Sequence, residues 1–206
     1  MTTRTMVDLF CGLGGASEAF FHDQDWEVLR IDNNSELLER LDFNVLDLYH
    51  KNRLDDIVRV IRMWNYLVND DQPIDFIWAS PPCKEFSINN NFSGGRQDPD
   101  LTLIKNTKYI IDQLEPKWHC IENVHGACTY FEPIVGKHKG KFGPYYLWGN
   151  VPMAGLRTAM PKGYAKNFKT GSKTKFRANI HAKIPMWLSE TMKHIIESQT
   201  TLSRWI

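Results

Sequence analysis

Short apolar strands that alternate with helical stripes are the feature that most constrains how this chain can fold. Strands are predicted over Arg4–Phe10, Trp26–Ile31, Asn44–Asp47, Ile74–Ala79, Lys117–Glu122 and Tyr145–Trp148. Helices are predicted over Ala16–His22, Ser35–Leu41, Leu54–Val68, Pro99–Leu114 and Pro185–Ser198. Since such alternation favours a sheet covered by helices on both faces, we predict a doubly wound α/β fold with a largely parallel sheet.

The chemically reactive side chains gather at the carboxyl ends of these strands. They are Cys11, Asp32, Asp47, Cys83 and Glu122. In a parallel α/β sheet, the carboxyl ends of the strands form the edge where ligands bind. The sequence therefore predicts one ligand-binding edge that these side chains share.

A glycine-rich turn, Cys11-Gly12-Leu13-Gly14-Gly15, separates the first predicted strand from the first predicted helix. Strand, glycine turn and helix in this order open many nucleotide-binding sheets, although tight turns use glycine everywhere. Asp32 lies about 20 residues beyond the turn, where Rossmann-like sheets place a carboxylate for ribose hydroxyls. The alternative is that Asp32 caps the helix over 35–41.

Two consecutive prolines, Pro81 and Pro82, end the fourth predicted strand, because proline has no backbone N–H to continue a sheet ladder. The next residue, Cys83, is therefore held on stiff backbone at the mouth of the sheet. A thiol in that place can act as a nucleophile once its proton is removed. The alternative is a small apolar side chain that ends a buried strand.

Charge is distributed unevenly along the chain. Residues 1–136 contain 12 Lys and Arg against 22 Asp and Glu, whereas residues 137–183 contain 11 Lys and Arg and no acid. A basic stretch of this kind predicts a polyanionic partner, above all nucleic acid. The alternatives are a simple role in solubility and pairing with the acidic half of the chain.

The length of 206 residues fits one domain with a substantial core. The sequence has no apolar run of about 18 residues and no signal-peptide pattern, so we expect a cytoplasmic protein without a membrane segment. The four cysteines include no C-x-x-C pair and indicate neither a zinc site nor a disulfide framework. We therefore expect reduced thiols and no metal. We also expect a monomer.

Three sequence blocks resemble the C5-cytosine methyltransferases. They are DLFCGLGG at Asp8–Gly15, SPPCKEFS at Ser80–Ser87 and IENV at Ile121–Val124. The resemblance covers about the first 150 residues and the IPMWLSE segment near the end. It implies the Rossmann-like fold of S-adenosylmethionine-dependent methyltransferases, S-adenosylmethionine as cofactor and cytosine in DNA as substrate. Compact members of the family are typical of phages, which would place the protein in a host cytoplasm.

The resemblance implies that Cys83 and Glu122 form a catalytic pair. In the family, the cysteine adds to C6 of cytosine, and the glutamate hydrogen-bonds N3 and the exocyclic amine. For that role Glu122 has to carry a proton in a water-poor pocket. Pro82 and Asn123 belong to the same two blocks and complete the predicted catalytic set. Because a stacked base is out of reach of these groups, the cytosine is expected to be flipped out of the duplex.

The same resemblance implies that the glycine-rich turn cradles the cofactor, while Asp32 takes the ribose hydroxyls and Asp47 the adenine amino group. The predicted cofactor set is Phe10, Cys11, Gly12, Leu13, Gly14, Gly15, Asp32, Asn33, Asp47 and Pro81. A hydride-transfer enzyme could share such a sheet, but it would need neither a Pro-Pro-Cys nucleophile nor a Glu-Asn-Val partner.

The predicted nucleic-acid-binding residues lie in the loop after Cys83 and in the basic segment over 137–183. They are Lys84, Ser87, Arg96, Lys137, Lys139, Lys141, Arg157, Lys173, Lys175 and Arg177. The loop over 84–98 is expected to close over the flipped base, with Gly94-Gly95 as a hinge. The basic segment is expected to grip phosphates as a rudimentary nucleic-acid-binding insert within a single domain.

The chain departs from the family pattern in several places. Lys84 replaces the usual glutamine, and its ammonium would favour the Cys83 thiolate. The arginine that helps to hold the cytosine has no counterpart before the late strand, where only lysines occur and lack the planar fork of arginine. Arg157 or Arg177 could substitute for it. The asparagine expected before the closing helix is not identifiable from the sequence.

The segment between Pro152 and Lys183 is about 30 residues long, too short for a separate target-recognition domain. We therefore expect low sequence specificity or a short target site. Two alternatives stay open: an RNA cytosine-C5 methyltransferase, which would use the same chemistry, and a catalytically silent methyltransferase-like module that binds nucleic acid.

Overall fold

The computed structural model describes residues 3–42, 44–86, 98–153, 161 and 176–202, apart from the side chains of residues 177, 178 and 200–202. Its centre is a seven-stranded sheet in the order β3-β2-β1-β4-β5-β7-β6. The strands are β1 (Arg4–Leu9), β2 (Trp26–Asp32), β3 (Asn44–Val45), β4 (Phe76–Ala79), β5 (Trp118–Asn123), β6 (Gly140–Phe142) and β7 (Tyr145–Gly149).

Five neighbouring strands, β1 to β5, pair in parallel, and the hairpin of β6 and β7 joins the far edge of β5 antiparallel. The helices are α1 (Glu18–Phe21), α2 (Leu54–Asn69), α3 (Thr102–Leu114), α4 (Cys128–Val135), α5 (Arg177–Ala182) and α6 (Met186–Leu202). The predicted doubly wound, largely parallel α/β fold of Rossmann-like type is confirmed.

Alternate residues of the central strands face two separate cores, as the period-2 geometry of a strand requires. Val7 and Ile77 pack on the side covered by α2, α3 and α4. Met6 and Phe76 pack on the opposite side, against residues of α1 and α6. Because both faces of the central strands are buried, their side chains are apolar almost without a break.

The structure differs from the sequence prediction in two regions. The segment predicted as an α-helix over 35–41 is a short 3-10 helix, Ser35–Glu39, in which Leu37 is buried and Leu38 exposed. A single turn with one anchored side chain cannot sustain an α-helix. After Gly126 the sequence pattern gave no prediction of α4, β6 or α5, although all three form.

The closing helix α6 packs against α1 near the start of the chain. The Ser189 hydroxyl donates to the Ala16 carbonyl at 2.6 Å and accepts from the Ala19 N–H at 3.1 Å. Lys193 forms an ion pair with Asp23 at 2.6 Å. These contacts hold the last described helix on the face of the sheet that α1 covers. No helix in the described part of the chain has both the length and the apolar character that crossing a membrane requires.

Candidate active site

The Pro-Pro-Cys turn follows β4 directly. Pro81 is buried, Pro82 is exposed, and Cys83 is half-buried at the end of the turn. The Phe86 N–H donates to the Cys83 carbonyl at 2.9 Å, which closes the chain into a tight turn after the cysteine. Two adjacent prolines with fixed φ angles thus hold the thiol at the carboxyl edge of the sheet, as the sequence predicted.

Glu122 lies at the same edge of the sheet, on the neighbouring strand β5. The parallel register pairs Ala79, the last residue of β4, with Ile121 of β5. Glu122 therefore lies one residue beyond the end of β4. The Asn123 side chain donates to the Pro81 carbonyl at 2.8 Å and accepts from the Val124 N–H at 2.9 Å. The nitrogen of this buried amide therefore joins the two strand ends, and its oxygen binds the backbone of the next residue.

A second contact joins the same two segments. Gly126 follows β5, and a Cβ atom at this residue would lie 2.0 Å from the Phe86 carbonyl oxygen. Only glycine allows so close an approach without a shift of backbone. The segment after Cys83 and the segment after Glu122 are thus in direct backbone contact.

The glycine-rich turn after β1 adopts backbone angles that favour glycine. Gly12 and Gly14 have φ of 54° and 70°, and Phe10 has φ of 61° although it is not a glycine. The Gly12 N–H donates to Asp32 Oδ2 at 2.9 Å, so the carboxylate at the end of β2 holds the turn in place.

Asp32 does not cap the following helical turn, which was the alternative open from the sequence. That role belongs to Asn34, whose side chain accepts from the Glu36 N–H at 3.2 Å. The second carboxylate oxygen of Asp32 accepts from the Asn34 N–H at 2.9 Å. Asp32 therefore connects the glycine-rich turn to the end of β2.

An open pocket of about 380 Å³ lies above the glycine-rich turn. It is lined by Asp8, Phe10, Cys11, Gly12, Leu13, Gly15, Ala16, Ser80, Asn179, Ala182, Lys183 and Ile184. A Cβ atom at Gly15 would lie 2.3 Å from the Ile184 carbonyl oxygen, so the turn and the segment before α6 are in contact. The sequence prediction missed this second wall, including Asn179, the only asparagine among the described residues that line the pocket.

Asp8 lies at the floor of this pocket and is fully buried. Neither of its carboxylate oxygens has a hydrogen-bond partner among the described residues. Burial raises the pKa of Asp8 to about 7, and the nearby Ser17 and Arg30 offset part of that rise. Burial, with the charges of Asp8 and Asp32, also raises the pKa of the Cys11 thiol. Cys11 therefore lines the pocket with a neutral thiol.

A second open pocket, of about 590 Å³, lies between the Pro-Pro-Cys turn and α3. Its lining residues are Tyr49, Pro81, Pro82, Lys84, Glu85, Phe86, Asp100, Leu103, Ile104 and Phe131. Four residues predicted to contact the cofactor are not among the lining residues of either pocket: Gly14, Asp32, Asn33 and Asp47. Asp47 instead accepts from the Tyr49 N–H at 2.9 Å and lies 3.3 Å from His50 Nε2.

The structure describes some of the residues predicted to bind nucleic acid and not others. Lys137, Lys139 and Lys141 are exposed in and before β6, and Lys141 Nζ lies 5.3 Å from the centre of the Tyr146 ring. Lys183, in the same basic segment, is paired with Glu18 at 2.8 Å. Predictions outside the described residues are Ser87, Arg96, Arg157, Lys173, Lys175, the Arg177 side chain and the hinge Gly94-Gly95.

Comparison with known proteins gives one consistent result. Residues 4–132 match the model of a family described as C-5 cytosine-specific DNA methylase. A protein of Frog virus 3 (isolate Goorha), named "Probable DNA (cytosine-5)-methyltransferase", is 27% identical in an alignment over 132 residues. The match covers 57% of this chain and 52% of that protein. The chain therefore spans about half the length of the curated relative it matches.

A solved structure supports the fold. The methyltransferase EhMeth of Entamoeba histolytica superposes with a TM-score of 0.52 at 14% identity, over 84% of this chain and 62% of that chain. At this level of identity the likeness shows a shared architecture of strands and helices.

Proposed function

The chain belongs to the C-5 cytosine-specific DNA methylase family, and on that basis we propose that it transfers a methyl group from S-adenosylmethionine to C5 of cytosine in DNA. The observation that carries this proposal is the hydrogen bond of 2.8 Å from Asn123 to Pro81. It ties the turn that bears Cys83 to the strand end that bears Glu122, at the edge where such sheets bind ligands.

Cys83 is the nucleophile in this proposal. Its thiolate forms a bond to C6 of the flipped cytosine and breaks the C5–C6 π bond, because C5 alone is too weak a nucleophile to accept a methyl group. The ammonium of Lys84, the next residue, favours the thiolate. After C5 has gained the methyl group, loss of its proton and departure of Cys83 restore the double bond.

Glu122 stabilises the electron density that the addition puts on the ring. It carries a proton and donates it toward N3, while its other oxygen accepts from the exocyclic amine. Asn123 and Pro82 position this pair, since one joins the two segments and the other stiffens the turn before the thiol.

The residues of the pocket above the glycine-rich turn fit S-adenosylmethionine, which supplies an electrophilic methyl group when bound. The cofactor carries a sulfonium and an ammonium, and the buried carboxylate of Asp8 has no hydrogen-bond partner among the described residues. Gly12 and Gly15, which line the pocket, present backbone close to the ligand. Asp32, at the end of β2, is placed to accept from ribose hydroxyls in addition to the Gly12 N–H.

DNA is the proposed substrate, read with low specificity or at a short site. The exposed lysines over 137–141 supply positive charge beside the site, and phosphate contacts of this kind position a duplex without reading its sequence. The short segment between Pro152 and Lys183 leaves little surface for contacts with base edges.

A DNA oligonucleotide that contains 5-fluorocytosine tests the proposal. Fluorine at C5 cannot leave as the proton does, so the Cys83–C6 bond should persist as an adduct visible by denaturing electrophoresis and intact mass. Cys83→Ser should form no adduct and transfer no methyl group, while its affinity for S-adenosylmethionine stays within about twofold of the parent.

Parallel reactions with DNA and RNA distinguish the substrates. Labelled methyl groups in DNA support the proposal. Labelling confined to RNA would show that the substrate is RNA and that the chemistry is as proposed. Methyl transfer by Cys83→Ser at the parental rate would overturn the role of Cys83. Tight cofactor binding without any transfer would indicate a silent binding module.

A further inference from the structure

Three potential metal ligands converge on the outer side of α4. Cys128 opens the helix, Glu132 lies one turn later, and His138 follows the end of the helix. One ligand atom from each residue, the Cys128 Sγ, a Glu132 carboxylate oxygen and a His138 ring nitrogen, lies within 4.8 Å of the other two. No other such group occurs among the residues that the structure describes.

A single nitrogen of His138 faces both partners. His138 Nδ1 lies 3.2 Å from Glu132 Oε1 and 4.0 Å from Cys128 Sγ. One ring nitrogen can make one good hydrogen bond, so a simple His–Glu pair accounts for the carboxylate but not for the thiol on its other side. A cation among the three atoms would satisfy all of them at once.

The fold holds the three side chains in this arrangement. Cys128 and Glu132 are separated by four residues of α4, which places them on the same face of the helix. The His138 ring packs against Tyr146 and Trp148 of β7, with ring centres 5.2 Å and 6.1 Å away. The ring is thereby oriented toward the helix by two aromatic neighbours.

The chemistry of the three ligands selects the type of cation. Thiolate, imidazole and carboxylate together suit Zn²⁺ and similar divalent transition metals, whereas Mg²⁺ and Ca²⁺ prefer oxygen ligands alone. Partial burial and the charge of Glu132 raise the pKa of the Cys128 thiol. A bound divalent cation would offset that effect, since metal-bound cysteine loses its proton.

We propose that Cys128, Glu132 and His138 form a binding site for Zn²⁺ or a similar transition metal. The site shares no residue with the Cys83–Glu122 pair, and the inference does not depend on the proposed methyl transfer. A metal there would fasten the segment over 136–139 to α4 and so anchor the exposed lysines that begin at Lys137. This site departs from our expectation, based on cysteine spacing, that the protein binds no metal.

Titration of the purified full chain with Zn²⁺ and with Co²⁺ tests the site. We expect one bound ion per chain and, with Co²⁺, an ultraviolet thiolate-to-metal charge-transfer band. Cys128→Ser should remove the band, and both Cys128→Ser and His138→Gln should weaken Zn²⁺ binding by more than about tenfold. Matched controls are Cys83→Ser, at the rim thiol, and His125→Gln, at an exposed histidine beside Tyr146; both should bind as the parent does.

A measurement on the unaltered chain tests the proposal even if the variants do not fold. Zn²⁺ should slow alkylation of Cys128 in a mass-resolved assay, while an equal concentration of Mg²⁺ leaves its rate unchanged. Absence of binding, or binding that survives Cys128→Ser and His138→Gln, would overturn the proposal. So would a metal that protects Cys83 and leaves Cys128 reactive.

Discussion

The Asn123 side-chain amide donates a hydrogen bond to the Pro81 carbonyl at 2.8 Å, and both residues are buried. The bond spans two neighbouring strands at the point where each one ends. It connects the Pro-Pro-Cys turn directly to the Glu-Asn-Val segment.

Asn123→Ala should lower kcat for methyl transfer by roughly tenfold, while the affinity for S-adenosylmethionine changes little. Removing the amide leaves the Pro81 carbonyl without its donor, at a cost of about 1–3 kcal/mol, and frees the turn that carries Cys83. Steady-state kinetics and equilibrium cofactor binding, measured on the same preparation, check this.

Asn65→Ala is the matched control for that variant. Asn65 is also buried, and its amide donates to the Gln72 carbonyl at 2.7 Å near the end of α2, away from the candidate site. It should lose a similar amount of stability without the loss of kcat. Equal losses of kcat in both variants would show that stability alone explains the effect.

Gly15→Ala and Gly126→Ala should separate cofactor binding from turnover. A Cβ atom at Gly15 meets the Ile184 carbonyl oxygen at 2.3 Å, and one at Gly126 meets the Phe86 carbonyl oxygen at 2.0 Å. Displacing backbone in this way costs about 1–3 kcal/mol. We expect Gly15→Ala to weaken S-adenosylmethionine binding about tenfold and Gly126→Ala to lower kcat instead.

Each of these glycine variants is the control for the other, since both place one methyl group against a carbonyl oxygen. Isothermal titration with the cofactor and single-turnover methyl transfer give the two readouts. If both variants lost only cofactor affinity, or both lost only the rate of methyl transfer, the two contacts would not serve separate halves of the site.

The sequence alone was enough to predict the parts of this site that are local in the chain. Each strand, its turn and the reactive residue after it form one short segment, so β1 with the glycine-rich turn and β4 with Cys83 could be predicted. The role of Asp32 could be narrowed to two alternatives. Excluding the helix cap required the hydrogen bond from the Glu36 N–H to the Asn34 side chain, which only the folded chain contains.

The parts that could not be predicted depend on contacts between distant segments. Ile184 reaches the glycine-rich turn because α6 packs on α1, and no local pattern near residue 184 indicates that. Helix α4 lies between Gly126 and Gly136 and contains Pro133, so its composition argues against a helix. The helix forms nonetheless because side chains such as Phe131 pack into the core and stabilise it.

Asp8→Asn should change how stability depends on pH. The folded protein holds the proton of Asp8 up to about pH 7, whereas the unfolded chain releases it near the ordinary pKa of 3.8. Between those values the folded state binds more protons, so its stability falls as the pH rises. The parent should lose on the order of 2–4 kcal/mol of its free energy of unfolding between about pH 4 and pH 7. The asparagine variant has no such proton and should not show this loss.

Urea denaturation of the cofactor-free protein at several pH values measures this difference. Asp42→Asn, at an exposed carboxylate, serves as the control and should follow the parental profile. Parallel profiles for the parent and Asp8→Asn would mean that Asp8 titrates alike in the folded and unfolded states.

Replacing Lys137, Lys139 and Lys141 together by glutamine should weaken DNA binding and flatten its dependence on salt. Each phosphate contact that is lost reduces the slope of log K against log salt by about 0.9. Fluorescence anisotropy at several salt concentrations gives the slope. A comparison triple replaces Lys105, Lys108 and Lys117 on and after α3, of which Lys108 and Lys117 are paired with Asp112 and Asp75. If it caused the same change in slope, the segment over 137–141 would have no special role.

The contact between Gly15 and Ile184 has a consequence for how the protein is made. A ribosome releases the glycine-rich turn long before it translates residue 184, so the nascent sheet has only one side of the pocket that we propose for the cofactor. Ligand capture cannot assist the early stages of folding on the ribosome. It becomes possible only when the later segment has emerged and docked against the first helix.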